Sequence, residues 1–380
     1  VNPRDPIVWI AGVGWDDTPG TDRHLALAVA RRHPVLWVDP PRRESGARPA
    51  PHARTEDVAD GVTRLSVPAL PGATRWPITA LIDARRGVAL ARWGGRAGAV
   101  VVSNPLARFP HAPGAPRILY VTDDWIAGAG LMGLSRTLVR RTLAANAWRA
   151  DAVAAVTEPL IAQARSLALV GTTRVIPNGA PVLEPVHARR GTAAGVVGQL
   201  NERLDLDLLE RVADAGTPLR LIGPWTGRDD AFRRRLDALA ARPGVVWTGR
   251  LDAADLRVEL ATLGVGLTPY VDSAFNRASF PLKTLEYLAA GVPVVSTDLP
   301  ASRWIGSAHV DVAGSPAAFV AAVARASVRS ARGDEVGERE RVALARTHGW
   351  EARANELLTL VDEVRPAYAQ GTIRMAGGRR

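Results

Sequence analysis

The chain has 380 residues, 47% of them hydrophobic and 23% charged, with a formal net charge of +10. This length suits two domains rather than one, and the composition is globular rather than disordered or fibrous. Absence of cysteine excludes disulfides and thiol chemistry, and the seven histidines lack metal-ligand spacing.

In chain order, short apolar or β-branched runs alternate with helical patterns. Residues 6–12, 34–40, 62–67, 99–104, 117–124, 151–157 and 173–179 are predicted strands of the first half. Residues 194–200, 218–224, 244–250, 265–270, 292–297 and 309–314 are those of the second, with helices expected at 205–214, 228–240, 253–263 and 280–290. Strands without polar alternation, separated by helices, imply parallel sheets covered on both faces, hence an α/β chain with two doubly wound domains. The Pro/Gly-rich stretch 177–193 marks the break: domains are expected at 1–184 and 185–350, with 351–380 a helix returning to the first domain plus a disordered tail. Residues 41–60 read as a polar loop. No apolar run approaches the roughly 20 residues of a membrane span, and no basic-then-apolar leader opens the sequence, so a cytoplasmic protein is expected. The basic excess, mostly in the first half, fits an anionic partner, a membrane surface or solvated arginines; no nucleic-acid module accompanies it.

Open parallel sheets bind ligands beyond the carboxyl ends of their strands, so the expected active site is the cleft between the two domains. Within "SFPLKTLEYLAAGVPVVST" (279–297), Lys283 is the only lysine of the chain against 47 arginines. Ser279 and Pro281 suit a helix start, Gly291 its end, and Lys283 and Glu286 share a face three residues apart. A free helix N-terminus attracts anions, and a carboxylate one turn further can bind a ribose diol. The same pattern also describes an amphipathic helix with a surface Lys–Glu pair.

"PVLWVDPP", "YVTDDW", "VTEPL", "VIPNG", "VVGQLNERLDLDLL", "LIGP", "TGR" and "PLKTLEYLAAGVPVVST" occur in this order. In that register the chain resembles GT-B glycosyltransferases of family four, and most the bacterial branch of teichuronic-acid type. The resemblance implies two Rossmann-like domains, a nucleotide-sugar donor, retention of anomeric configuration and no metal or other cofactor. Glu286 would hold the ribose, Arg203 the pyrophosphate, Gly198 a close backbone approach, and Arg250 the base. Asn276, Ser279, Phe280 and Leu282 would line the donor sugar and phosphates, with Lys283 beside them as a compact cation. The family's first motif glutamate falls on Ala278, which leaves the sugar open. Asp123 and Asp124 end the strand where relatives often carry histidine; one could take the acceptor proton or bind a hydroxyl, or cap the next helix. Gly14, Asp16 and Asp17 form a candidate acceptor loop or an ordinary turn. Residues 75–96 carry Arg85, Arg86 and Arg92 beside Trp76 and Trp93, a membrane-surface segment or a plain surface helix, with Gly87 expected to interrupt its helix. The implied setting is cell-envelope polysaccharide or glycolipid synthesis. A natural-product glycosyltransferase, a sugar-nucleotide epimerase and an inactive partner subunit stand as alternatives.

Overall fold

The computed structural model describes residues 5–17, 19–41, 53–184, 186, 188–306 and 308–369. They form two compact units: residues up to Pro177 together with those from Trp350 onward, and Asn178–Gly349. The change of unit at Pro177 falls at the start of the Pro/Gly-rich stretch.

The first unit holds strands β1 (Ile7–Ile10), β2 (Val35–Val38), β3 (Arg54–Ala59), β4 (Val62–Ser66), β5 (Ala99–Val102), β6 (Arg117–Val121), β7 (Ala152–Ala155) and β8 (Thr172–Val175). Their order is β3-β4-β2-β1-β5-β6-β7-β8, parallel throughout except for the β3–β4 hairpin. Runs such as IVWI, VLWV and AVVV are buried along their whole length because helices cover both faces of the sheet. Trp9 stacks on Trp37 with ring centroids 6.4 Å apart and meets Tyr120 edge-on, forming the aromatic centre of this core. Helix Trp350–Ala369 packs on helix Thr21–Ala30. The Trp350 ring lies against His24, and Arg365 donates to the Gly98 carbonyl.

Strand β3 corrects the expected loop over 41–60. Its side chains are mostly exposed, as suits a charged edge strand, so no apolar pattern announced it. The Asp60-Gly61 dipeptide, with Gly61 at φ +69°, was the available hairpin signal. Residues 42–52 of that stretch, and the expected tail at 371–380, lie outside the described residues.

The second unit holds β9 (Ala194–Val197), β10 (Leu219–Ile222), β11 (Val245–Gly249), β12 (Val265–Thr268), β13 (Val294–Thr297) and β14 (Val310–Ala313). The order β11-β10-β9-β12-β13-β14 is all-parallel. Counted from β9 it is the doubly wound order 3-2-1-4-5-6, which reverses direction between β9 and β12. The first sheet reverses in the same way between β1 and β5. Ligand sites of such sheets lie at the carboxyl ends of the strands flanking the reversal. In the described residues no helix is long and apolar enough to cross a membrane.

Candidate functional site

In the second unit the reversal lies beside the helix Leu282–Ala289, and that helix is seated by contacts from distant parts of the chain. Leu285 and Leu288 face the core. The Tyr287 hydroxyl donates to the Gly195 carbonyl at 2.9 Å and accepts the Val197 N–H at 2.8 Å, tying the helix to β9. Gly266 on β12 makes room for that ring, since a Cβ there would stand 2.4 Å from it. At the other end of the helix, Arg190 donates to the Ala290 carbonyl (2.7 Å) and Arg341 to that of Gly291 (2.6 Å). Two guanidinium groups thus satisfy carbonyls at the negative end of the helix dipole.

The seating places Lys283 over Gly198, the first residue beyond β9. Gly198 has φ +130°, and a Cβ on it would come 3.2 Å from Lys283 Cε. Lys283 Nζ pairs with Glu286 Oε2 at 2.6 Å, the two side chains being 26% and 16% exposed. Gly198, Lys283 and Glu286 therefore form one half-buried constellation at the end of β9. Gly223, after β10, closes against it from the side, because a Cβ there would overlap the Gly198 carbonyl.

Arg203 lies in the loop after β9. Its guanidinium sits over Phe275 (4.6 Å) and Tyr270 (5.2 Å), and its Nε donates to Asn276 Oδ1 at 2.9 Å. Asn276 is 2% exposed and spends its amide donors on the Arg203 and Val271 carbonyls. It thereby positions Arg203. The expected helix-start role of Ser279 is corrected. Pro281 occupies the N-cap position of helix Leu282–Ala289 without a side-chain cap bond, while the Ser279 hydroxyl donates to the Phe275 carbonyl of the preceding short helix. Phe280 is buried edge-on to Trp304, and its carbonyl accepts from the Asn178 amide at 3.1 Å. Leu282 is half-buried in the first turn, Ala278 is buried, and Arg250 is exposed just beyond β11. Trp225 stacks on Phe232 and carries Arg233 over its ring, so its faces serve packing.

In the first unit the two carboxylates beyond β6 differ. Asp124 is 6% exposed and accepts from the Ala127 N–H and the Gln163 amide, each at 2.9 Å. It caps the turn that follows, whereas Asp123 is half-exposed. In the loop after β1, the Asp17 carboxylate accepts the Gly14 N–H at 2.9 Å, which is turn chemistry. Asp16 is exposed and pairs with Arg64 at 3.0 Å.

Sequence reasoning missed Asp22. It opens helix Thr21–Ala30, is 5% exposed, and accepts the Gly12 N–H (3.0 Å) and the Ser103 hydroxyl (2.8 Å) on one oxygen. Burial, and secondarily the Asp123 charge, hold its pKa at about 6 against the hydrogen bonds that lower it. The segment 75–96 also needs correction. Helix Ile78–Trp93 runs unbroken through Gly87. Arg85 and Arg92 are exposed, but Arg86 is 3% exposed and its Nη1 pairs with Asp83 Oδ1 at 2.5 Å. Burial raises the Asp83 carboxyl, and the Arg86 charge draws it back.

Residues 194–327 match the model of the family described as glycosyl transferases group 1. Over 184 residues the chain is 31% identical to a Bacillus subtilis (strain 168) protein named as a teichuronic acid biosynthesis glycosyltransferase, TuaH; the match covers 47% of this chain and 45% of that protein. The chain thus spans less than half the length of that curated relative. Among solved structures, sucrose-phosphate synthase from Thermosynechococcus elongatus superposes with a TM-score of 0.72 at 18% identity, covering 96% of this chain and all of that one. An E. coli structure titled for trehalose-6-phosphate and bound with UDP-2-fluoro glucose gives 0.64 at 12% identity, covering 95% and 99%. Trehalose-6-phosphate synthase, in a structure titled for glycosyltransfer with retention, gives 0.63 at 14% identity, covering 94% and 99%. The chain has the GT-B fold of these enzymes, and its residues 194–327 carry a domain of the group 1 glycosyl transferases.

Proposed function

We propose that this protein is a nucleotide-sugar-dependent glycosyltransferase, transferring a sugar to an acceptor hydroxyl with retention of configuration in cell-envelope polysaccharide or glycolipid synthesis. The observation that carries the reading is the Gly198–Lys283–Glu286 constellation at the reversal point of a doubly wound sheet, within the segment matching group 1 glycosyl transferases. In this reading Lys283 lies beside the donor phosphates, Arg203 reaches the pyrophosphate from its aromatic seat, and Glu286 accepts from the ribose diol. Lys283 already pairs with Glu286, so a bound phosphate shares the ammonium with the carboxylate and both ends of the nucleotide are read by one helix turn. The leaving phosphate takes the acceptor proton, and fixed cations stabilise the charge that develops on it. In this reading Asp123, partly buried beyond β6, is the carboxylate of the first unit assigned to the acceptor hydroxyl. No metal is assigned a part.

A nucleoside diphosphate should raise the melting temperature of the protein, by an amount equivalent to about 2.7 kcal/mol at a hundredfold excess over Kd. A thermal-shift screen of UDP, GDP, ADP, CDP and TDP checks this, and no shift with any of them overturns the reading. Unchanged transfer in the presence of EDTA is expected as well.

A peripheral contact with an anionic membrane forms part of the proposal. A groove of about 580 Å³ runs between the β3–β4 hairpin and helix Ile78–Trp93, with Leu81, Val88, Arg85 and Arg92 along it. Leu81 and Val88 are about half exposed, and Trp76 is 64% exposed. Apolar side chains interleaved with unburied arginines suit acyl chains below anionic headgroups. Vesicles rich in phosphatidylglycerol should sediment the protein at low salt and release it at high salt; failure to sediment argues for an acceptor in solution.

A further inference from the structure

Helix Leu282–Ala289, which carries Lys283 and Glu286, is only 8 residues long. A helix of two turns has little stability of its own, because its costly nucleus is offset by too few hydrogen bonds. Its position is therefore imposed from outside. Tyr287 ties it to β9, but one side chain is a pivot, and a second tie is needed to fix the tilt. That tie is at the carboxyl end. Arg190, whose side chain is 8% exposed, directs its three nitrogens to three elements. Nη2 donates to the Ala290 carbonyl at 2.7 Å. Nη1 donates to the carbonyls of Leu260, Ala261 and Leu263, at 3.4, 3.3 and 3.5 Å, where helix Ala253–Thr262 ends. Nε pairs with Glu338 on helix Glu335–Thr347. One planar fork thus joins the carboxyl ends of two helices to the flank of a third. The backbone holds the fork in place, since the Gly191 N–H donates to the Thr262 carbonyl at 2.8 Å. Arg341, 1% exposed, repeats the arrangement on Gly291 and is paired with Asp334 at 2.9 Å.

The clamp reaches the site through one hydrogen bond. Ala290, held by Arg190 through its carbonyl, donates its own N–H to the Glu286 carbonyl at 3.1 Å. Lys283 lies about 10 Å along the helix from Ala290, so a tilt of about 6° at the clamped end moves it by about 1 Å. Hydrogen bonds and ion contacts weaken steeply over such a shift, and a site left that loose loses its function. Position rather than charge is what the clamp supplies. Each guanidinium is matched by a carboxylate, so the two pairs bring no net charge to the helix.

We propose that Arg190 is a positioning residue for the nucleotide site: by joining three helices it sets where Lys283 and Glu286 stand, and with that the donor affinity, from the far end of their helix. The word nucleotide rests on the glycosyltransferase reading; the clamp on the helix does not. The test uses the full chain and whichever of UDP, GDP, ADP, CDP and TDP raises its melting temperature most. Arg190→Lys keeps the charge but serves only one helix end at a time. The double variant Arg190→Gln/Glu338→Gln removes both charges together and leaves the net charge unchanged. Leu239→Ala, in the core of the same unit on helix Asp230–Ala240, is the control for lost stability alone. Affinity is measured by calorimetric titration at a temperature where all the proteins are folded, and amide exchange is followed over residues 282–291. Kd should rise about tenfold in the double variant, as for a weakened charge-assisted hydrogen bond, and about threefold or more in Arg190→Lys. It should stay within about twofold of wild type in Leu239→Ala, where only global stability changes. Exchange over 282–291 should quicken in both Arg190 variants more than in the rest of the unit. Wild-type affinity in Arg190→Lys, or an equal loss in Leu239→Ala, overturns the proposal, and Arg190→Lys decides alone if the double variant fails to fold. A wild type that binds no nucleotide removes the glycosyltransferase reading instead. The clamp is then judged by exchange: a rate over 282–291 no faster in Arg190→Lys than in Leu239→Ala overturns it as well.

Discussion

Asp22→Asn should uncouple the stability of the first unit from pH between about 4 and 7. In the wild type the folded-state pKa is about 6, against an ordinary carboxylate value of 3.8, chiefly through burial. Between those values the unfolded chain has released a proton that the folded chain retains, so stability falls as pH rises. The stabilisation is fully present below 3.8 and lost once pH has passed through about 6, which amounts to about 3 kcal/mol for this one group. Asparagine retains an oxygen to accept from Gly12 N–H and the Ser103 hydroxyl but carries no charge to desolvate. The assay is the melting temperature of both proteins across this range, compared as the variant minus the wild type. Effects of all other carboxylates cancel in that difference, and so does any constant cost of the substitution. The difference should grow in favour of Asp22→Asn by about 6–12 °C from pH 4 to pH 7, taking about 2–4 °C per kcal/mol for a unit of this size. A difference that stays flat with pH would show that Asp22 ionises without penalty and refute the reasoning.

Glu286→Ala should leave the fold intact and weaken nucleoside diphosphate binding about ten- to a hundredfold, the loss of one hydrogen bond to a charged group, as measured by calorimetric titration. Lys283→Arg keeps the charge but brings a longer planar fork over Gly198, so turnover should fall markedly in a transfer assay; wild-type turnover would mean that the lone lysine has no chemical reason. Gly198→Ala forces a side chain into φ +130° and against the Lys283 stem, so stability should drop by about 1–3 kcal/mol in denaturant titration, and nucleotide affinity should fall with it. Tyr287→Phe leaves the Val197 N–H without its acceptor, for about 1–3 kcal/mol of stability in the same titration.

Much of the architecture was legible because its signals are local. Each buried strand is a short apolar run, and helices 206–214, 230–240 and 253–262 open on the aspartates Asp205, Asp229 and Asp252, whose side chains accept from the first-turn N–H groups. The edge strand β3 escaped because exposure on both faces removes the alternation that reveals a strand. Lys283 and Glu286 could be placed on one face from their spacing alone. What lay beyond the sequence was the seat of their helix: Tyr287 reaching β9, and Arg190 and Arg341 holding carbonyls 290 and 291 across long separations. Ser279 misled because a short helix, 274–278, ends on it and takes the hydroxyl that would otherwise cap the next one.

The two adjacent arginines of helix Ile78–Trp93 show where the limit lies. Arg85 and Arg86 differ by one step of about 100° around the helix, so identical side chains face opposite environments. Counting five arginines in a segment predicts a basic surface and makes no distinction between them. The single aspartate of the segment does make one. Asp83 is three residues from Arg86, a spacing that brings side chains together, and two from Arg85, a spacing that does not. A guanidinium can leave water only where its charge is met, so the position of Asp83 selects Arg86 for burial and leaves Arg85 outside. The partner, rather than the arginine, carries the information about which side of the helix is buried.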